Sequence, residues 1–570
     1  MTIVLVVCAC VVGVAEDTPA VEPTEQMLHR ARVALKGADK DIAGAREILL
    51  DIAQNRADDL NPTGRCYVYV YLGYIEDREG NREAAVSWFE KAAVLEGPDI
   101  KWIRQLAEIG LTKPVTWIRH LDQGATPEKE SNWEENIIER IGEGYVTRDK
   151  PPDSLVRKMA LTKDEQLENF DILWEAVDRT FSFFNHKGID WQEVKTRYRP
   201  QVEAVETTEA FYALLGQCIR ELKDAHSWLC NHRPNQSLPW FGPAITTALI
   251  EGKAVVTDVV EDSEAYKSGL RPGWVIEAVD GLMIAETVEQ LRPLLRVHSS
   301  ERAFLQEAYR RLLCGDDGAT VSLEALPPDG GAPMSLELKR GTPKQRSPVE
   351  PAFPLEKSAH IWWGVHPSGC GYIRVLSFDG RMEIADEFDQ ALESLRNAPA
   401  LVLDIRDNPG GFGDAQPRIV GRFIAERVKV GVSYVKNGPE HDDFRMREQY
   451  FAPAGRWQYT KPLALLMNTG TGSAADLFAC YMSSTGRPIT VGTTTHGNLT
   501  GVGAYVVLPC DLVVRVSNGY VCDARGNIIE GNGTAPQVHA ARTIRDVIEG
   551  TDSVLDRAVQ ALEEIGHRTS

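Results

Sequence analysis

The most constraining stretch of this chain is residues 463–485, in which a strand, a glycine-rich turn and a helix follow one another without a break. Residues 463–467 (LALLM) form an apolar run of buried-strand type. Residues 468–472 (NTGTG) carry turn chemistry, and from Ala474 the apolar residues fall at helical spacing. Such a fold puts Ser473 at a helix N-terminus, where unpaired backbone N–H groups and the positive end of the helix dipole favour a developing negative charge. A nucleophilic serine gains from that position, because its oxyanion intermediate meets ready-made donors. The plainer alternative is that Ser473 only caps the helix, which serine does well.

A chain of 570 residues is too long for one core and implies several domains. Its apolar fraction of 43% and charged fraction of 25% are those of globular proteins. The formal charge of −20 argues against nucleic acid and anionic membrane surfaces as partners. Residues 3–15 (IVLVVCACVVGVA) have signal-peptide length but no basic residue before them, so residues 1–16 are expected to be a signal peptide and the protein to be exported. No later segment is apolar enough to span a membrane. Eight cysteines follow position 20 without CxxC or Cys/His zinc spacing, so no metal site or cofactor is expected. Cys510 and Cys522 flank an expected hairpin and could bridge, or could be buried free thiols.

Residues 24–120 are helical in pattern. Tyr71-Leu72-Gly73, Gly80, Ala84-Ala85, Phe89, Ala92 and Pro98 fall at tetratricopeptide (TPR) offsets, and 31–53 resembles a degenerate helix pair. Such repeats usually bind protein segments, so a protein partner is expected here. Residues 121–160 read as a linker, with Pro151-Pro152. In a second helical block, 161–235, two apolar stripes recur at helical spacing: Phe170, Leu173, Trp174, Val177 and Phe181, then Phe211, Leu214, Leu215, Cys218, Ile219 and Leu222. The second stripe runs into Lys223-Asp224-Ala225-His226-Ser227, so His226 sits where a helix ends, beside an acid and a hydroxyl. A histidine there can be a favourable helix cap or a proton acceptor.

Residues 236–342 pattern as a small β-rich module. A strand at 254–260, then Ser268-Gly269-Leu270 and Gly273-Trp274-Val275-Ile276, then Val279-Asp280-Gly281 and a helix at 287–295, resemble a PDZ domain. Residues 297–317 look inserted before the last strands, 320–325 and 334–339. The peptide-carboxylate loop of such a domain would fall at Trp240-Phe241-Gly242-Pro243, making Phe241 and Gly242 the expected substrate-binding residues. Pro243 has no N–H to offer.

Residues 355–545 alternate strands and helices: strands at 371–375, 401–405, 463–467 and 489–492, with helices at 382–395 and after Ser473. That is an α/β core with mostly parallel central strands, whose sites lie at the strands' carboxyl ends. Two loops qualify: Asp404-Ile405-Arg406-Asp407-Asn408-Pro409-Gly410-Gly411, whose Gly-Gly suits exposed N–H groups, and the turn before Ser473. The tail, 546–570, is expected to be a terminal helix.

In order along the chain, LKDAHS, the PDZ-like module, DIRDNPGG, NTGTGSAAD, VGTTTHGN and IIEGNGTAP together resemble the S41 serine peptidases, the group of the C-terminal processing proteases and the tricorn core protease. The resemblance covers roughly 163–545 and implies a multidomain α+β protein with a ClpP/crotonase-like core, acting on protein or peptide substrates. The processing branch uses a serine–lysine dyad, but His496-Gly497-Asn498 occupies the lysine's place. The tricorn-like branch instead implies Ser473 as nucleophile, His226 as base, Glu530 beside the base, and the N–H groups of Gly410 or Gly411 with Ala474 as oxyanion hole. The departures are Ala225 where that branch has a serine before the base, and Gly533-Thr534-Ala535-Pro536-Gln537 at the end. His496 is a rival base, and a non-catalytic carrier or scaffold on the same fold is the rival function.

Overall fold

The structure is a computed structural model that describes residues 24–35, 41–96, 101–112, 114, 141–142, 145–148, 156–232, 239, 241–343, 350–501 and 503–569. The expected signal peptide and most of the expected linker lie outside them. The chain divides into two units, Met1–Arg140 and Ile141–Ser570.

The first unit is helical, with helices Thr24–Ala34, Ile42–Asp51, Pro62–Arg78, Arg82–Ala93 and Lys101–Thr112. Its packing turns on Phe89, which is fully buried. A Cβ at Gly73 would stand 2.5 Å from the Phe89 ring, and one at Gly110 2.4 Å from it. Neither position therefore accepts a side chain, and the helices close on the ring from two sides. Pro98 lies outside the described residues.

The second unit is built on a seven-stranded sheet in the order Glu356–Lys357, Ile361–Val365, Gly371–Val375, Leu401–Asp404, Leu463–Met467, Ile489–Gly492 and Val538–His539. The first three strands pair antiparallel and the remaining pairs are parallel. Leu463–Met467 is buried along its whole length, as continuous apolar runs in parallel sheets require. The helices Glu383–Ser394 and Ala474–Ser484 cover one face, and Ser553–Thr569 packs on the other.

The helical block is not separate from this core. Phe170, Leu173, Phe211, Leu215 and their neighbours share one apolar cluster with Val506, Leu508, Val514 and Val516 of the hairpin Gly503–Val507/Val513–Ser517. Strand Trp228–Leu229 adds to that hairpin's edge at Val513–Ser517, and Tyr145–Arg148 adds to the other edge. The loop carrying His226 is thus anchored on a strand far downstream.

The β-rich module has the order Met334–Lys339, Thr320–Leu326, Val275–Val279, Lys253–Val259, Ile245–Ile250, with Leu282–Met283 paired to Val275–Val279. The segment read as an insertion contains the helix Glu301–Arg310. That helix lies against the edge strand Ile245–Ile250, where Thr247 Oγ1 donates to the Tyr309 carbonyl at 2.6 Å. All eight cysteines after position 20 are free, so Cys510 and Cys522 are thiols, and both are buried.

Candidate active site

The strand Leu463–Met467 ends in the turn that delivers Ser473 to the N-terminus of helix Ala474–Ser484. Ser473 has φ 53° and ψ −119°, a conformation that non-glycine residues adopt only at a cost of order 1–3 kcal/mol. A residue serving only as a cap would take extended angles and turn its hydroxyl onto the helix N–H groups. Here the Asp476 carboxylate accepts the Ser473 N–H at 3.0 Å, while the hydroxyl makes no cap bond. Ser473 Oγ lies instead 3.3 Å from Nε2 of His226. Two residues 247 positions apart in the chain meet at this point.

The turn before Ser473 is tied to the DIRDNPGG loop by Asn408. Its side chain donates to the Val375 carbonyl at 3.0 Å and accepts the Gly410 N–H at 2.9 Å, and its carbonyl accepts the Gly472 N–H at 3.0 Å. Of the two glycines, Gly410 therefore has its N–H occupied. Gly411, with φ 134°, lies in a bridge with Phe378 in which Gly410 O and the Phe412 N–H make the bonds. The N–H groups of Gly411 and Ala474 have no hydrogen-bond partner among the described residues. Gly410 is needed for proximity: a Cβ there would stand 2.7 Å from the Gly472 carbonyl and 2.7 Å from Ser473 Cβ. Below the loop, the buried Asp404 accepts from Tyr372 and Arg406, and Arg406 reaches on to Asp552.

His226 is held by its main chain. Asp224 Oδ1 accepts its N–H at 3.2 Å and Arg515 donates to its carbonyl. Burial pushes the imidazole down to about 4, against the pull of Asp224 and with the help of Arg515, Arg296 and Lys187. The ring is consequently neutral and able to accept a proton at neutral pH. Its Nδ1 has no hydrogen-bond partner among the described residues. Asp224 is buried, accepting from Ser227 and, at 2.7 Å, from Ser517. Burial opposes its ionisation, but Lys187 and His226 with the two hydroxyl donors hold it below its usual value.

Glu530 is fully buried, and its hydrogen bonds run elsewhere than to His226. One oxygen pairs with Lys187 Nζ at 2.7 Å and the other accepts the Leu499 N–H at 2.8 Å. Lys187 also donates to the Lys223 carbonyl at 2.7 Å, just before Asp224. Burial pushes Glu530 up to about 7, with Lys187 pulling it down and Asp224 adding to the rise. His496 is buried with its ring against Gly472 and 5.4 Å from the His298 ring. Phe241 and Gly242 lie in a closed ladder with Thr342–Pro343, their carbonyls accepting from Gly315 and Gly341. Trp240 is outside the described residues.

Sequence reasoning gave no role in the site to Asp224, Lys187 or Asp476. Asp224 was visible two residues before His226; Lys187 carries no local signal, because its partners are 36 and 343 positions away. The pair it forms gives a testable outcome. Removing one member of a buried ion pair costs about 3 kcal/mol or more. Folded Glu530 keeps its proton to higher pH than the unfolded chain does. Its stabilising contribution is thus present at low pH and is lost as pH rises through about 7. Lys187→Met is therefore expected to lower stability by about 3 kcal/mol at alkaline pH and by clearly less near pH 5. Denaturant melts at both values check this, and an equal loss at the two would contradict it.

Residues 369–540 match the model of peptidase family S41, and residues 162–219 match the tricorn protease C1 domain. Over these residues the chain is similar to the peptidases of family S41. Two tricorn protease homologs of Streptomyces coelicolor are 26% and 23% identical to this chain, each over 402 residues. The alignments cover 66% and 67% of it but only 30% and 34% of theirs. Carboxy-terminal processing protease CtpA of Bacillus subtilis is 26% identical over 293 residues, 51% of this chain and 54% of its own. The chain thus spans about half the length, or less, of these curated relatives. Among solved structures, mature CPAF aligns with a TM-score of 0.54 and 15% identity, covering 71% of this chain and 96% of that one. That likeness shows a shared fold.

Proposed function

We propose that this chain is an S41-like serine endopeptidase of the tail-specific or tricorn-like kind, acting on protein or peptide substrates. The observation that carries the reading is the 3.3 Å approach of Ser473 Oγ to His226 Nε2 from a strained backbone, beside two N–H groups that have no partner among the described residues. In this reading Oγ attacks the scissile carbonyl as its proton passes to Nε2. The carbonyl oxygen, now negative, is met by the N–H groups of Gly411 and Ala474. Collapse expels the amine, which takes the proton from Nε2, and leaves an acyl ester on Ser473. A water deprotonated by the same imidazole then releases the acid. Glu530 and Asp224 set the charge around the base instead of completing a direct triad bond.

The modules fit this reading as docking surfaces. The helical unit carries TPR-like spacing and is assigned to a protein partner, and the β-rich module is assigned a PDZ-like role. The ladder that closes Phe241–Gly242 and the helix along Ile245–Ile250 speak against open carboxylate capture there. Export is proposed with it, on the apolar run at 3–15. The test is labelling with a fluorophosphonate probe and peptide mapping of the adduct. The expected result is one adduct, on Ser473. A wild-type protein that takes no label would favour a binding protein on this fold.

A further inference from the structure

The backbone of Ser473 is strained, and strain of that kind persists only where the surroundings over-determine it. The peptide joining Gly472 to Ser473 is held at both of its polar atoms. Its carbonyl accepts the Ala475 N–H at 2.9 Å, and its N–H donates to Asp476 Oδ2 at 3.0 Å. A capping-box acid serves the N–H of the cap residue alone. Asp476 is fully buried, and its other oxygen reaches a different loop: Oδ1 accepts the Gly497 N–H at 3.0 Å, 21 positions away.

The Gly497 end of this bridge is itself fixed. The His496 N–H donates to the Thr471 carbonyl at 2.8 Å, so the 495–497 loop meets the nucleophile turn at a second point. Gly497 has φ 73°, and a Cβ there would stand 2.4 Å from Arg302 Nη2 and 3.0 Å from the Gly533 nitrogen. Arg302 belongs to the segment inserted in the β-rich module. Its Nε donates to the Thr495 carbonyl at 2.7 Å and its Nη2 to the Gly531 carbonyl at 3.1 Å, 193 and 229 positions away. Ser300 Oγ donates to the His496 carbonyl at 2.7 Å, and the Ser299 N–H to Asn498 Oδ1 at 2.9 Å. The loop is thus braced by the inserted segment on one side and joined to Ser473 through Asp476 on the other.

We propose that Asp476 is a positioning residue: its carboxylate ties the Ser473 N–H to the Gly497 N–H, so that the nucleophile's backbone is set by a loop that Arg302 of the β-rich module holds. It acts through the peptide before Ser473 and not on the reacting oxygen. The inference rests on the Ser473–His226 reading of the site.

The test follows fluorophosphonate labelling of the full chain carrying Asp476→Asn, Arg302→Met or both. Two quantities are read from each progress curve, the second-order rate constant and the final stoichiometry. Asn has nearly the shape of the carboxylate but only one accepting oxygen, so one of the two N–H groups loses its partner. Misplacing a reacting group by about 1 Å can cost about a hundredfold. Asp476→Asn is expected to slow labelling about tenfold or more while still reaching full stoichiometry. Arg302→Met is expected to slow it about threefold or more, and to add less than about twofold in the Asp476→Asn background, because the two act through one chain of bonds. A role confined to folding would do the reverse: stoichiometry would fall with the folded fraction, and the molecules that react would do so at the wild-type rate. An Asp476→Asn protein with the wild-type rate constant, or an Arg302→Met effect undiminished in the double variant, would overturn the inference while labelling of wild type stands. If Asp476→Asn does not fold, Arg302→Met decides alone, and a wild-type rate constant there overturns the inference. A wild type that does not label would overturn the underlying reading, and this one with it.

Discussion

Ser473→Ala is expected to abolish fluorophosphonate labelling and peptide hydrolysis, and His226→Ala to reduce both by roughly a millionfold, because nucleophile and base act as a unit. The double variant is expected to be no worse than either single one. The physical ground is the neutral imidazole: burial holds His226 down to about 4, so near neutral pH its Nε2 has a free lone pair 3.3 Å from the hydroxyl. Without it, Ser473 keeps its proton and is a poor nucleophile. The same assay decides between the two candidate bases. His496→Gln is expected to leave labelling far less affected than His226→Ala. His496 lies against Gly472 and His298, and the Oγ hydrogen bond goes to His226. A His226→Ala protein that labels at the wild-type rate would sink the assignment.

Gly411→Ala is the second large effect. An alanine there must adopt φ 134°, and its Cβ would stand 2.4 Å from the Phe378 carbonyl carbon and 2.6 Å from the Asp379 nitrogen. These are backbone atoms, so relief requires the loop to move and takes the Gly411 N–H with it. Loss of one oxyanion donor typically costs about a hundred- to a thousandfold in kcat, and this substitution is expected to cost at least that, with a smaller change in KM. The contrast with Gly413 is instructive, because a Cβ there meets nothing within 4 Å. Gly413→Ala is the matched control. Turnover of a peptide substrate by both variants, alongside their melting curves, separates a lost donor from a lost fold.

The core was legible because its signals are local. Continuous apolar runs at 463–467 and 401–404 became the central parallel strands, and the turn chemistry before Ser473 became the strand-to-helix turn itself. The pairing of Gly410 and Gly411 was readable, but which N–H stays open was not. That choice is made by the Asn408 side chain closing on Gly410, a bond that depends on three-dimensional angles. Glu530 was placed beside the base by resemblance alone, and its partners Lys187 and Leu499 are visible only in the folded chain. Arg302 was out of reach for the same reason: the carbonyls it holds lie 193 and 229 positions away. In the stretch His496-Gly497-Asn498, Asn498 clasps the inserted segment, which no reading of motif spacing could show.

The strand Val513–Ser517 that anchors the His226 loop also bears on the order in which the chain is made. Arg515 and Ser517, which grip His226 and Asp224, are synthesised after the nucleophile. A nascent chain that has reached Ser473 therefore already holds its serine but has no framework to seat the base against it. On the proposed reading the base is seated only after residues 513–517 have been made, and a chain cut short before residue 513 lacks the strand that seats it.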